Sequence, residues 1–250
     1  MWWVALALAI VSAAIGGWRA WHRDRRQRAL LAAAWRSGLR FSVFDPFPDT
    51  VWLPFALFGP AQDPHAMNVV WDRRDDGIRA FDLGVTRLHA ERDGIGDRRW
   101  MSCAAVPLPF SCPRLTIASR TATDPAGITA PGGEVVLELE TFNRRFRVQA
   151  EEPRAAVAFC DQRMMRALMA LPLDVTIHVN EHVMLLVAPM LEPGQVLVLL
   201  EAARGLSRVV PPVVASLYPP RPATGPHEAR WLQGHWSADP TTDVPAGPQA

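Results

Sequence analysis

The chain opens on an uncharged run. Trp2 to Trp18 reads WWVALALAIVSAAIGGW, 17 residues without a charged side chain. A helix of that length spans ~25 Å, the short end of the transmembrane range. A buried core helix would show one polar face, and this run shows none. Trp2, Trp3, Trp18 and Trp21 gather at its two ends, where indole rings favour the membrane interface. A secretory leader carries its positive charge ahead of the apolar stretch; here the arginines follow it. Ser12-Ala13-Ala14 imitates a cleavage site, so export remains an alternative. The expectation is one uncleaved transmembrane helix over residues 1–18.

Behind the run, residues 19–36 contain neither Pro nor Gly and are rich in Ala, Leu, Arg and Gln. All are good helix formers, so the helix is predicted to continue to about Ser37-Gly38, with Gly38 as C-terminal cap. A basic juxtamembrane helix is therefore assigned to 19–40.

The body, 41–217, alternates between punctuation and pattern. Asp45 to Pro60 carries four prolines and the aromatics Phe47, Trp52, Phe55 and Phe58, and reads as a loop capping the core or lying on a bilayer surface. Asn68–Trp71 and Ile78–Leu83 flank Asp75-Asp76-Gly77, a hairpin signal. Ile78, Ala80 and Asp82 point one way; Arg79, Phe81 and Leu83 point the other. Met101–Leu108 and Leu115–Ser119 are two further strands, with loops at 89–99 and 121–133. Val135, Leu137 and Leu139 alternate with Val136, Glu138 and Glu140 and lead, through a turn at Asn143, to a second strand with Phe146 and Val148 inside and Arg145 and Arg147 outside.

A helix over 154–171 starts at Pro153 and carries the stripe Val157, Cys160, Met164, Leu168 and Leu171. A second, 193–205, starts at Pro193, carries Val196, Leu199, Leu200 and Ala203, and stops at Gly205. Between them, Asp174–Ala188 reads as two strands turning at Asn180-Glu181. Residues 218–250, dense in proline, read as a disordered tail, with His227–Trp236 as a candidate docking motif within it. The predicted class is α+β: a transmembrane helix, then an antiparallel sheet of six to eight strands with two packed helices.

Charge sharpens this picture. All 26 Lys+Arg positions are arginine, and the formal net charge is +1. Seven arginines and one acid, Asp24, fall within 19–40, so the neutral total hides a basic collar beside a mildly acidic body. Arginines next to a span stay on the cytoplasmic side, which puts the N-terminus outside and the body in the cytoplasm. Setting that topology is a sufficient role for them. The functional role is contact with anionic lipid headgroups at a membrane interface of Trp2, Trp3, Trp18, Arg19, Trp21, Arg23, Arg25, Arg26 and Arg28.

Candidate chemistry is sparse. His178-Val179-Asn180-Glu181-His182 fits H-x-x-E-H, in which two histidines on one helix face bind zinc and the glutamate activates water. The surrounding Val175, Thr176, Ile177, Val179 and Val183 favour a strand, and in a hairpin the histidines would project to opposite faces. Cys103 and Cys112, on neighbouring strands, are within reach of a disulfide, but a reducing cytoplasm favours free thiols; Cys160 reads as core. There is no glycine-rich phosphate loop and no G-x-S-x-G. The arginines at 144, 145 and 147 are accounted for by strand alternation, and no nucleic-acid partner is expected.

The N-terminal span, the Leu53-Pro54-Phe55 segment and Phe142-Asn143-Arg144-Arg145-Phe146-Arg147-Val148 ahead of a helix resemble a family of uncharacterised actinobacterial single-pass membrane-anchored proteins. The resemblance covers roughly residues 1–205. It implies the architecture, and it brings no catalytic residue and no part of the His178–His182 stretch. The expectation is thus a membrane-tethered cytoplasmic interaction or regulatory domain without catalysis or cofactor, its partners the lipid bilayer and an unidentified protein. The alternative is a membrane-bound zinc hydrolase using His178, Glu181 and His182.

Overall fold

The computed structural model describes residues 2–47, 50–59, 62–74, 77–86, 98–121, 125–128 and 130–221. Its elements are α1 (Trp2–Arg36), β1 (Arg40–Phe44), β2 (His65–Trp71), β3 (Arg79–Thr86), β4 (Arg98–Ser119), α2 (Glu140–Arg145), β5 (Phe146–Ala150), α3 (Pro153–Phe159), α4 (Gln162–Met169), β6 (Thr176–Pro189), α5 (Pro193–Val209) and α6 (Pro212–Leu217). The class is α+β, as expected, with a six-stranded antiparallel sheet.

The strands run β1-β2-β3-β4-β5, with β6 also paired to β4. β4 is the spine. Its first half pairs with β3, its last five residues with β5, and its length with β6. The sheet is buried on both sides. One face meets the helices through Val70, Ala80, Ala104, Val106, Leu186, Phe159, Met164 and Leu199. The other is capped by Phe47 and residues 50–58, where Phe47, Leu53, Phe55, Leu57 and Phe58 pack on Trp71, Phe81, Leu83 and Leu185. Capping the core is therefore what this proline-rich segment does, although its Trp52 stays exposed. β3 shows the predicted alternation: Ile78 and Ala80 lie on the helix side, and Phe81 and Leu83 on the cap side. There the Arg79 guanidinium sits 4.4 Å from the Phe47 ring centre.

Several boundaries differ from expectation. The two strand candidates at 101–108 and 115–119 are one 22-residue strand. Its prolines, 107, 109 and 113, fall around two register shifts, between Pro107 and Cys112 and between Cys112 and Leu115. Bulges tolerate the missing N–H that a regular ladder would not. The expected hairpin over 174–188 is likewise one strand, bulged at Asn180-Glu181, where Glu181 takes φ +51. Residues 135–139 form no strand. Asn143 lies in α2, and its side chain accepts from Leu137 N at 3.0 Å and donates to Leu137 O at 2.7 Å, standing in for a ladder partner. Phe146 and Val148 are buried, as predicted.

The helix expected over 154–171 breaks at Cys160-Asp161, because Asp161 caps α4 by accepting from Met164 N at 2.8 Å. The break takes Val157 off the apolar stripe, and it is exposed. Gly205 is no cap: α5 runs through it to Val209. Gly38 is one. It takes φ +70, and Leu39 N bonds Ala34 O while Gly38 N bonds Trp35 O, a Schellman closure of α1.

Cys103 and Cys112 lie on the same strand rather than on neighbours. Nine residues of strand separate them by on the order of 30 Å, so they do not pair; all three cysteines are buried and none is in a disulfide.

The expected span is helical from Trp2 onward. Among the described residues, however, no helix is long and apolar enough to cross a membrane. The side chains at 4, 5, 7–10 and 12–15, which hold most of that run's apolar character, lie outside the described residues, as do the tail from 222, the 227–236 motif and the Asp75-Asp76 turn.

Candidate membrane-proximal site

α1 is a single 35-residue helix with two kinds of surroundings. From Trp2 to Trp21 every described side chain is exposed, and a Cβ added at Gly16 or Gly17 would meet nothing within 4 Å. Trp18 is 61% exposed and Trp21 51%. From Arg26 onward the helix is docked. Leu30, Ala33 and Ala34 are buried, and Leu30 and Ala34 join the helix-side core. The small alanines let α1 approach α5 and β1 closely.

A polar clamp completes the docking. Asp82 projects from β3 toward α1 with its side chain 1% exposed. Arg26 meets it bidentately, Nε to Oδ2 and Nη2 to Oδ1, both at 2.8 Å. Asn68 donates to Oδ2 at 2.8 Å and Ser102, its cross-strand partner on β4, to Oδ1 at 3.2 Å. Asn68 reaches the carboxylate because a β-bulge turns it to φ +54, a conformation asparagine tolerates better than most. The same network holds the start of α5: Arg26 donates to Leu191 O, and Leu191 N donates to Ser102 Oγ at 3.1 Å. A buried carboxylate needs this many donors to offset its lost hydration.

Of the residues expected at a membrane interface, Arg26 is thus turned inward, its side chain 16% exposed. Trp2, Trp3, Trp18, Trp21, Arg23, Arg25 and Arg28 are exposed. Arg25 lies 5.4 Å over the Trp21 ring, and Arg28 pairs with Asp24 one turn back. The Arg19 side chain lies outside the described residues. Between α1 and the start of α5 runs a groove of about 820 Å3, lined on the α1 side by His22, Arg23, Arg25, Arg26 and Arg36.

Asp82, Asn68 and Ser102 were missed from sequence. The available signal was a carboxylate at an inward position of an otherwise apolar strand, which demands a partner.

The H-x-x-E-H residues occupy a strand, not the helix that zinc chemistry uses. The bulge reverses the alternation of β6. Ile177 and Val179 face the helices before it, and Met184 and Leu186 after it. His178 and His182 therefore project to opposite faces, the outcome expected of a hairpin but reached by another route. His178 Nδ1 lies 3.2 Å from Thr116 Oγ1 and its ring edges Phe55. Among the described residues no cluster of three or more His, Cys, Asp or Glu is placed to hold a metal ion.

A second cleft, about 430 Å3, holds Cys112, Arg114, Glu151, Glu152, Glu181 and Arg221. Burial, aided by Glu152, pushes the Cys112 thiol up to about 12. Burial and a 2.9 Å hydrogen bond to Glu152 likewise push the Tyr218 phenol up to about 12. The Arg114 guanidinium holds the Glu151 carboxyl below its ordinary value.

No family model matches the chain, and no curated protein matches it. Among solved structures it is similar to the mycobacterial trehalose monomycolate transport factor A, TtfA. The two share a TM-score of 0.53 and 14% identity over 78% of this chain and 97% of that one. At that identity the likeness is one of fold, and the α+β architecture is what this chain has in common with TtfA.

Proposed function

We propose that this chain is a single-pass membrane protein whose body acts as a non-catalytic interaction or regulatory domain on the cytoplasmic side. The observation that carries the proposal is the division of α1. One continuous helix presents an uncharged, tryptophan-ended half free of the body, and a basic half clamped to it by Arg26–Asp82. An anchor needs the first property, and a tethered domain needs the second. The exposed tryptophans at 2, 3, 18 and 21 suit the two interfaces of a bilayer. The collar arginines suit its cytoplasmic face. The membrane-anchored family that the 142–148 segment resembles has the same layout.

The non-catalytic reading rests on the clefts. Cys112, which lines the second cleft, has its thiol pushed up to about 12, so it is protonated and a poor nucleophile at neutral pH. The likeness to TtfA supports the fold and supplies no substrate.

Phosphatase and fluorescent-protein fusions at both ends, with carbonate extraction of membranes, test the proposal. A carbonate-resistant chain with an active N-terminal phosphatase and an inactive C-terminal one is expected. An active C-terminal phosphatase overturns the orientation, and release by carbonate overturns the anchor.

A further inference from the structure

From the groove between α1 and the start of α5 we infer a binding site for one anionic phospholipid, its phosphate held by Arg23 and Arg25 at the end nearer Trp18. The inference rests on the anchored reading above, which places this groove just below the bilayer surface.

Charge is the first support. Among the described residues none of the exposed arginines lining the groove, Arg23, Arg25 and Arg36, has a carboxylate partner. Arg36 bonds only the Ala32 carbonyl, at 3.2 Å, and Arg25 leans on Trp21. The collar's other inward-reaching arginine, Arg26, is already committed to Asp82. The one acid lining the groove, Glu192, is turned to its own helix, where it caps α5 in a reciprocal box with Gln195. The lining is thus cationic, with several guanidinium groups free to bind an anion.

Shape is the second support. The floor is apolar: Ala29 and Ala33 on α1, Met190 and Pro193 opposite. Met190 is exposed, an apolar side chain without cover. A free phosphate ion would use the cationic rim and leave that floor wet, whereas a lipid uses both. The floor starts about 15 Å along the helix from Trp18, within reach of a headgroup and the upper part of an acyl chain that slips from the inner leaflet. The clamp from Arg26 to Leu191 fixes the two walls relative to each other, so the groove is formed before a ligand arrives.

The test uses the full chain in a neutral detergent, with bound lipid counted by native mass spectrometry against dioleoylphosphatidylglycerol and dioleoylphosphatidylcholine. The wild type is expected to retain one phosphatidylglycerol in preference to phosphatidylcholine. The double variant R23Q/R25Q loses two near-surface charges at about fivefold each, so its preference should fall about 25-fold. Ala29→Trp fills the floor without changing charge and should abolish retention; Ala29 is exposed, so the fold tolerates it. Equal retention of the two lipids, or undiminished preference in either variant, overturns the site. Displacement of the lipid by millimolar inorganic phosphate overturns the lipid assignment. Flotation with pure phosphatidylcholine vesicles reports the anchor alone: a chain left at the bottom of the gradient overturns the anchored reading, while the detergent arm still reads the groove.

Discussion

Arg26 and Asp82, 56 residues apart, form a bidentate ion pair with both hydrogen bonds at 2.8 Å. Asp82→Ala should lower stability by about 3 kcal/mol, because it strands a largely buried guanidinium together with the Asn68 and Ser102 donors. Arg26→Met, which leaves the fully buried Asp82 carboxylate without its counter-charge, should cost at least as much. A double-mutant cycle in urea should return a coupling energy of about 1–3 kcal/mol between the two sites. Additive effects would mean that the pair does not hold α1 to the sheet.

Gly205 and Gly132 should respond oppositely to alanine. Gly205 sits inside α5 with open space around it, so Gly205→Ala should stabilise by about 1 kcal/mol. Gly132 takes φ +120, and an added Cβ would lie 2.0 Å from the Ala150 carbonyl oxygen. Gly132→Ala should destabilise by several times as much, about 3 kcal/mol or more. Thermal melts of the two variants decide both. A fall in Tm for Gly205→Ala would restore Gly205 to a helix cap.

Alkali should weaken the fold in a defined window. Burial raises the Cys112 thiol from an ordinary value of 9.0 to about 12, so folding disfavours its thiolate. The stability it contributes is fully present below pH 9 and is lost as pH rises toward 12. Tyr218 adds a similar loss from its ordinary 10.0 upward. Cys112→Ala should flatten the lower part of this slope in urea titrations taken at successive pH values. An unchanged slope would mean that the thiol is not desolvated.

Thiol counting checks the cysteines separately. With all three buried as thiols outside any disulfide, the native chain should react slowly with iodoacetamide at pH 8, and the unfolded, unreduced chain should take up three equivalents. One equivalent would reveal a disulfide.

Asn143→Ala removes the two hydrogen bonds that tie Leu137 to α2. A loss of about 1–2 kcal/mol is expected, with hydrogen exchange rising first at Leu137. Protection unchanged there would show that the segment is held by packing alone.

What could be read from sequence was local. The alternation of β3, the cap at Gly38 and the inward Phe146 and Val148 depend on neighbours within a few positions. The long strands were not legible, because Pro107, Pro109, Pro113 and Asn180-Glu181 look like punctuation until opposing bulges absorb them. The helix break at Asp161 hid because the apolar spacing continues across it. The clamp was invisible for a different reason: the partners of Asp82 come from α1, β2 and β4, and no pattern along one strand announces a donor 56 residues away.

The unbroken course of α1 also fixes a bearing. With no hinge between its free half and its clamped half, whatever grips the first sets the compass heading of the sheet. One alanine inserted at position 20 would swing the body by about 100° and lower it by about 1.5 Å, whereas seven would return it to within about 20° of its original heading, some 10 Å further out. A partner that reads the body from a fixed direction would lose it after the first insertion and find it again after the seventh.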